Sequence, residues 1–454
     1  MSRPGRGTAY VLAIVLLLLA VVSGILSFAG PGNTAEASEL SGWGYRFLRE
    51  LADADAKTAA FADRAFLTDF RMEYGSYPYF CLYRALLNGT YTPELWYEKT
   101  GKTALVLRDS YSGALDPASP HYRANIRVLP SSEETTICVV GDVAFADNYE
   151  IMPKLIERGQ GLAGVLSVEL TELLRSADIL LVNSEFALTN RGTPIPNKLY
   201  NFRGDPQNVR YFLEMGTDIV TLANNHVYDF GEIGFSDTME TFRNADIPTI
   251  GAGANEQEAS RPFYFILNGR KYGFSAATRA EKNIRTPEAT ATSSGVLRMY
   301  DMTKYLNVIR ETEAECDVNI CYVHWGTEKS NLTEDGLYEN AVSMIDAGAD
   351  VVIGAHAHVL QGIDYYRHVP ILYNLGNFLF DEETLDTAVL QLRVDACGDL
   401  SVRMIPCIQS EWRTDLLSEK ADRERVWRLL RRLSPHIDID ESGLVTEKQA
   451  GSNA

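Results

Sequence analysis

The chain is short of positive charge. Lys and Arg number 42 against 61 Asp and Glu, a formal net charge of −19 over 454 residues. A nucleic-acid partner wants a basic face, so charge argues against that class. Cysteine is also scarce: Cys81, Cys138, Cys316, Cys321, Cys397 and Cys407 stand apart, with no C-x-x-C pair. That excludes a zinc-ribbon pattern and a dense disulfide framework. Cys138 and Cys321 lie inside apolar runs and read as buried thiols. Histidine is rare as well, with seven in the chain. Long apolar stretches are missing beyond the N-terminus, where Thr8 to Ala35 carries no charge.

Within that stretch, Tyr10 to Ala29 equals about one bilayer thickness of helix. Two readings compete. The apolar core of a cleaved signal peptide runs to ~7–15 residues, and this one is longer. Its length favours an uncleaved signal-anchor, with Arg3 and Arg6 on the cytoplasmic side. Cleavage near Ala29 or Ala37, giving a secreted protein, is the alternative. Either way the remainder is expected outside the cytoplasm, held at the cell membrane by a single span if the anchor stays.

The organisation that follows is a cytoplasmic N-terminus at 1–7 and an anchor at 8–30. A linker and mainly helical, tyrosine-rich extension occupy 31–133, the main domain 134–410, and an amphipathic helix with a tail 411–454. In the main domain short apolar runs alternate with helical patterns such as 165–176, 205–215 and 235–245, which is the texture of an α/β domain. The strands are expected at 137–142, 179–185, 218–224, 319–325, 349–355 and 370–375. Later strands at 386–394 and 400–405 alternate with period two.

Ligand sites in α/β sheets collect at the carboxyl ends of strands. Here those ends are polar one after another: Gly141-Asp142, Asn183-Ser184-Glu185, Asn224-Asn225-His226, His324-Trp325, His356-Ala357-His358 and Asn374 to Asn377. Any one of them has an ordinary explanation as a cap or turn. Together they hold two carboxylates, several amides and four of the seven histidines, which points to a metal site. In an extended segment residues i and i+2 share a side, so His356 and His358 are expected to face one point. Carboxylate, amide and imidazole without thiolate suit manganese, iron or zinc, as one ion or two.

The motifs GDVAF, NSEFALT, TLANNHVYDFG, GAGAN, VHWGTE, GAHAHVLQG and YNLGNFLFD, in this order, resemble the CapA (PgsA) family of capsule and poly-γ-glutamate synthesis proteins. That family belongs to the calcineurin-like metallophosphoesterase superfamily, and the resemblance covers about residues 134–410. It implies a four-layer α/β/β/α sandwich with metal ligands at Asp142, Glu185, Asn225, His324, His356 and His358. Asp142 and His358 would serve one ion and Asn225, His324 and His356 the other, with Glu185 bridging. His226 would stabilise or protonate a leaving group. Apart from the resemblance, Asp229, three residues on, has two readings from its spacing: the group that holds that ring in one tautomer, or an ordinary turn carboxylate. Two departures stand out. Ala144 occupies the place of a usual histidine ligand, and Glu185 that of a usual aspartate.

Two functions follow from the resemblance. One is metal-dependent hydrolysis or transfer at a phosphoester, or at an amide of a surface polymer. The other is a non-catalytic accessory or scaffold role in a polymer-assembly machine. An anionic polymer, or its synthase complex, is the expected partner, and it would be repelled on average by the net charge. Arg191, Lys198 and Arg203, in the loop after Glu185, are the candidate basic contacts. Asn183 and Asn377 are further candidate substrate contacts.

Overall fold

The computed structural model describes residues 125–448, apart from 130–133, 269, 282–284 and 396. The expected anchor at 8–30 and nearly all of the extension at 31–133 lie outside the described residues. Among the described residues, no helix is long and apolar enough to cross a membrane.

The chain divides into two units. In the smaller (Met1–Pro130, Phe265–Lys271 and Ala314–Asp317), the Leu129 N–H donates to Ile266 O at 2.9 Å and the Lys271 ammonium meets Glu315 at 3.0 Å. The larger unit (Ser131–Tyr264, Tyr272–Glu313 and Val318–Ala454) carries every candidate site residue.

Two large sheets frame the larger unit, beside two small two-stranded ones. In the first, Thr135–Val143, Ile179–Ser184, Ile219–Thr221 and Thr249–Ile250 run parallel in that order. Leu385–Val394 and then Leu400–Ser410 extend its other side antiparallel. In the second, the strand from Tyr272 to Thr278 lies parallel to Val318–His324, then Val351–Ala355, then Val369–Leu372, with Ile363–Tyr366 antiparallel at the edge. The expected α/β alternation is therefore present. The strands fall where the apolar runs put them, and several stop short of the polar residues at their ends.

Burial explains the apolar runs. Helices Val168–Arg175, Val209–Met215 and Gly231–Asn244 place Leu170, Leu174, Phe212 and Phe242 in one core with Cys138, Val140, Leu180, Val182 and Val220. Helices Thr303–Glu313 and Leu337–Asp346 place Tyr305, Ile309, Leu337 and Met344 with Cys321, Val323, Val352 and Ile371. The alternate residues Ile137, Val139, Leu181, Ile320, Tyr322 and Ile353 are also fully buried. Both faces of each sheet are thus covered, which is why the central strands read as continuous apolar runs rather than alternating ones. The Tyr272 hydroxyl donates to Thr135 Oγ1 at 2.8 Å, tying one sheet to the other.

The two-residue period then places the polar residues. Asn183 shares the face of Leu181, away from the helices, and His324 shares the face of Ile320 and Tyr322. Both sheets deliver their polar strand ends to one region.

Candidate metal centre

Register brings the first-sheet residues side by side. Asp142 is opposite Asn183, and Asn183 opposite Thr221. Asn377 opens the short strand Asn377–Leu379 and sits opposite Asp142 on its other side. Gly141 makes that approach feasible, because a Cβ there would lie 1.9 Å from Gly376 O. The Asp142 N–H donates to the same carbonyl at 3.2 Å.

His356 and His358 arrive differently from expectation. The ladder ends at Ala355, and the two histidines have φ of 95° and 59°. They converge, with ring centroids 6.0 Å apart, through left-handed turns and not through the pleat of an extended segment. Such conformations cost a non-glycine residue about 1–3 kcal/mol each and persist where the surroundings over-determine them. Gly354, just before them, is tightly packed: a Cβ there would meet Tyr373 O at 2.0 Å and Trp325 Nε1 at 2.5 Å.

The polar atoms converge on His324. Its Nε2 lies 2.7 Å from Asn225 Oδ1, 3.1 Å from His356 Nδ1 and 3.3 Å from Glu185 Oε1. Donors held ~2.0–2.2 Å from one ion in tetrahedral or octahedral order stand about 3.0–3.5 Å apart, close to these separations. A second set lies beside it. Asp142 Oδ2 is 3.3 Å from His358 Nδ1, and Asp142 Oδ1 accepts from Asn183 Nδ2 at 2.8 Å. Two triads have ligand atoms within 4.8 Å of one another and could hold a metal ion: Glu185, His356 and His358, and Asp142, Glu185 and His324. Glu185 belongs to both. The distances also allow the partition implied by the resemblance.

The floor is sealed and the rim is not. Asp142, Asn183, Glu185 and His324 are 0 % exposed, while Asn225, His226, His356 and His358 keep 4–6 %. Burial sets the electrostatics. It pushes the Glu185 carboxyl well above its ordinary range, and the Asp142 charge adds to this. Burial likewise pushes His324 down to about 3 and holds His356 well below ordinary histidine. Burial opposes ionisation of Asp142 too, but hydrogen bonding and charge from His358, with His324 and Asn183, hold it well below the carboxylate range. The same pair raises His358, against the effect of its burial. Glu185 Oε1 is buried and has no hydrogen-bond partner. A carboxylate oxygen left unpaired beside neutral imidazoles is the environment a divalent cation relieves, so the donor set fits a metal.

His226 lies at the rim with Nδ1 2.7 Å from Asp229 Oδ2. Burial lowers its pKa, against the pull of Asp229. The Asp229 carboxylate also accepts from the Phe202 N–H at 2.7 Å and from Lys198 Nζ at 2.6 Å. Lys198 is not an exposed loop cation: its side chain is 5 % exposed and it reaches Glu281 at 3.1 Å and the Asn225 carbonyl. Arg191 pairs with Asp237, and the Arg203 guanidinium sits 4.7 Å over the Phe230 ring. The three cations thus have separate partners. Asn183 and Asn377 both touch the centre, through Asp142 and His358 respectively.

Three contributors carry weaker signals in the sequence. Asn224 accepts from the N–H groups of His226 and Val227 and donates to Asn183 Oδ1 at 2.9 Å, so it shapes the turn. Phe202 and Phe380 pack edge to face at 5.3 Å, against His226 at 4.5 Å and His358 at 4.8 Å respectively. Asn224 and Phe380 sit within the quoted motifs, whereas nothing local marks Phe202.

Residues 136–382 match the family described as bacterial capsule synthesis protein PGA_cap. The capsule biosynthesis protein CapA of Bacillus anthracis is 28% identical over 308 residues, which span 66% of this chain and 73% of that protein. The PGA biosynthesis protein CapA of Bacillus subtilis is 30% identical over 238 residues, 50% of this chain and 60% of that protein, so less than two thirds of the latter is covered. Among solved structures, the 5'-nucleotidase of Candida albicans superposes with a TM-score of 0.34 at 12% identity, over 62% of this chain and 53% of that one.

Proposed function

Because this chain belongs to the bacterial capsule synthesis protein family PGA_cap, we propose that it acts in making or exporting a surface polymer of the poly-γ-glutamate type, through a divalent-metal centre with hydrolase chemistry at a phosphoester or amide. We read the two covered sheets as a metallophosphoesterase-like α/β/β/α sandwich, and the apolar stretch at 8–30 as the anchor that keeps it outside the cell membrane. The partner is the anionic polymer or its synthase complex.

Asp142, Glu185, Asn225, His324, His356 and His358 would hold one or two ions of manganese, iron or zinc. A bound ion of this kind supplies Lewis-acid polarisation and an activated water at neutral pH. The chain's own residues supply the rest. His226, oriented by Asp229, presents Nε2 at the rim as general acid toward a leaving group. Lys198 holds the far side of that carboxylate. Phe202 and Phe380 keep water from the His226 and His358 rings.

One observation carries this reading: an amide oxygen, an imidazole nitrogen and a carboxylate oxygen converge within 2.7–3.3 Å of His324 Nε2, and that carboxylate oxygen, Glu185 Oε1, has no hydrogen-bond partner. The test is elemental analysis of the purified chain, with hydrolysis of a generic phosphodiester, for wild type, His226→Ala and His358→Ala. Stoichiometric metal, lost activity in His226→Ala and reduced metal in His358→Ala are expected. Wild type without metal would refute the centre. Metal without activity would select the second reading, a non-catalytic accessory subunit. Ala144 favours that reading, since it is buried and carries no donor where the resemblance leads one to expect a ligand.

A further inference from the structure

The side chain of Asn377 is engaged at both ends. Its Nδ2 donates to Asp381 Oδ2 at 3.0 Å, and its Oδ1 stands 2.6 Å from His358 Nδ1. A carboxylate only accepts, so the amide atom facing Asp381 is the nitrogen. Asp381 is itself fixed, accepting on Oδ1 from Gln409 Nε2 at 2.7 Å and from the Glu383 N–H at 3.0 Å. Gln409 is fixed in turn, because its Oε1 accepts the Phe380 N–H at 2.8 Å and a main-chain donor cannot reverse. Orientation is therefore determined at each step from a backbone N–H to the His358 ring. Asn377 Oδ1 accepts, and His358 carries a proton on Nδ1, where Asp142 Oδ2 at 3.3 Å is a second acceptor. In the neutral ring that leaves the lone pair on Nε2.

We propose that Asn377 is a positioning residue that commits His358 to bind metal through Nε2, with Asp381 and Gln409 as its anchors. This assigns Asn377 a role other than the substrate contact suggested by its strand-end position. It rests on the metal reading above. Outer partners of this kind fix the tautomer and ring direction of a histidine ligand, and losing one typically costs ~10–100-fold in metal affinity.

The test has two arms on the full chain. In the first, selectively isotope-labelled histidine reports each ring's tautomer by long-range proton–nitrogen NMR on metal-free wild type. His358 is expected as the Nδ1–H form, and an Nε2–H ring would overturn the proposal without any variant having to fold. In the second, manganese and zinc affinities are measured by competition with a chromophoric chelator for wild type, Asn377→Leu and Gln409→Met. A loss of about 10–100-fold in Asn377→Leu, with a smaller loss in Gln409→Met, is expected. Wild-type affinity in Asn377→Leu sinks the inference but leaves the metal centre standing. Wild type that binds neither ion refutes the centre and the inference with it.

Discussion

Glu185 Oε1 lies 3.3 Å from His324 Nε2, and no hydrogen bond satisfies it. Burial and the Asp142 charge hold the Glu185 carboxyl well above its ordinary range. Glu185 therefore favours its neutral form in the metal-free fold, so folding at neutral pH costs stability through proton uptake that is absent in acid, and a cation that binds the carboxylate offsets that cost. Glu185→Gln should separate the two effects. The metal-free variant should match or exceed wild type, by about 1–3 kcal/mol, because an amide has no charge to bury and no proton to take up on folding. Its response to metal should be lost. Thermal melts with chelator and with excess manganese check both. A ligand at 100 times its Kd stabilises by ~2.7 kcal/mol, which wild type should show and the variant should not. Equal metal-dependent shifts in the two proteins would remove Glu185 from the centre.

Lys198 joins a buried carboxylate to a largely buried one, and its loss should be costly. Asp229 and the largely buried Glu281 face its ammonium at 2.6 and 3.1 Å. Glu281 would keep Arg285 at 2.6 Å, but the buried Asp229 would be left with His226 and the Phe202 N–H alone, so Lys198→Met should destabilise by roughly 3–5 kcal/mol. Arg191→Gln is the contrast. The Arg191 side chain is 61 % exposed, and its loss should cost less than about 1 kcal/mol. Denaturant unfolding decides. A Lys198→Met variant as stable as Arg191→Gln would return Lys198 to the class of free loop cations.

The strand ends are legible in the sequence because a central parallel strand is apolar on both faces, so its first polar residue marks where the sheet stops. Asp142, Glu185 and His324 are visible for that reason. The approach of His356 and His358 is not, since nothing local marks the left-handed turns that bring them together, two residues after a Gly354 packed against Tyr373 and Trp325. Lys198 looks like any loop lysine until Asp229 and Glu281, 31 and 83 residues on, are seen to enclose it. Gln409 lies in an alternating strand with nothing local to distinguish it. Long-range placement, not residue type, gives these residues their roles.

His226 and Asp229 should matter according to the leaving group. A general acid contributes ~10²–10⁴-fold where the departing oxygen needs a proton. His226→Ala should lose about that factor on an alkyl phosphodiester and far less on a nitrophenyl ester, whose phenolate leaves unaided. Asp229→Asn should show the same asymmetry more weakly, since it disturbs ring orientation alone. Metal content should remain at the wild-type level in both. Steady-state kinetics on the paired substrates, with elemental analysis, provide the check, and equal losses on both esters would exclude proton donation by His226.

Gly354 is where packing and the centre meet. The Trp325 Nε1–H donates to Tyr373 O at 3.1 Å, and a methyl on residue 354 would occupy the space between those atoms. The intruding carbon meets a backbone carbonyl, which cannot swing aside as the end of a flexible side chain could. Gly354→Ala should therefore cost about 1–3 kcal/mol or more through overpacking. The strand carrying residue 354 leads directly into His356, so the turn should shift with it. Weaker metal binding is expected even where the variant stays folded at low temperature. Trp325 is fully buried, and a change in the protein's tryptophan emission would report the broken hydrogen bond. Chelator competition would report the displaced histidines. A variant with wild-type emission and wild-type metal affinity would show that the turn at His356 is held by other contacts.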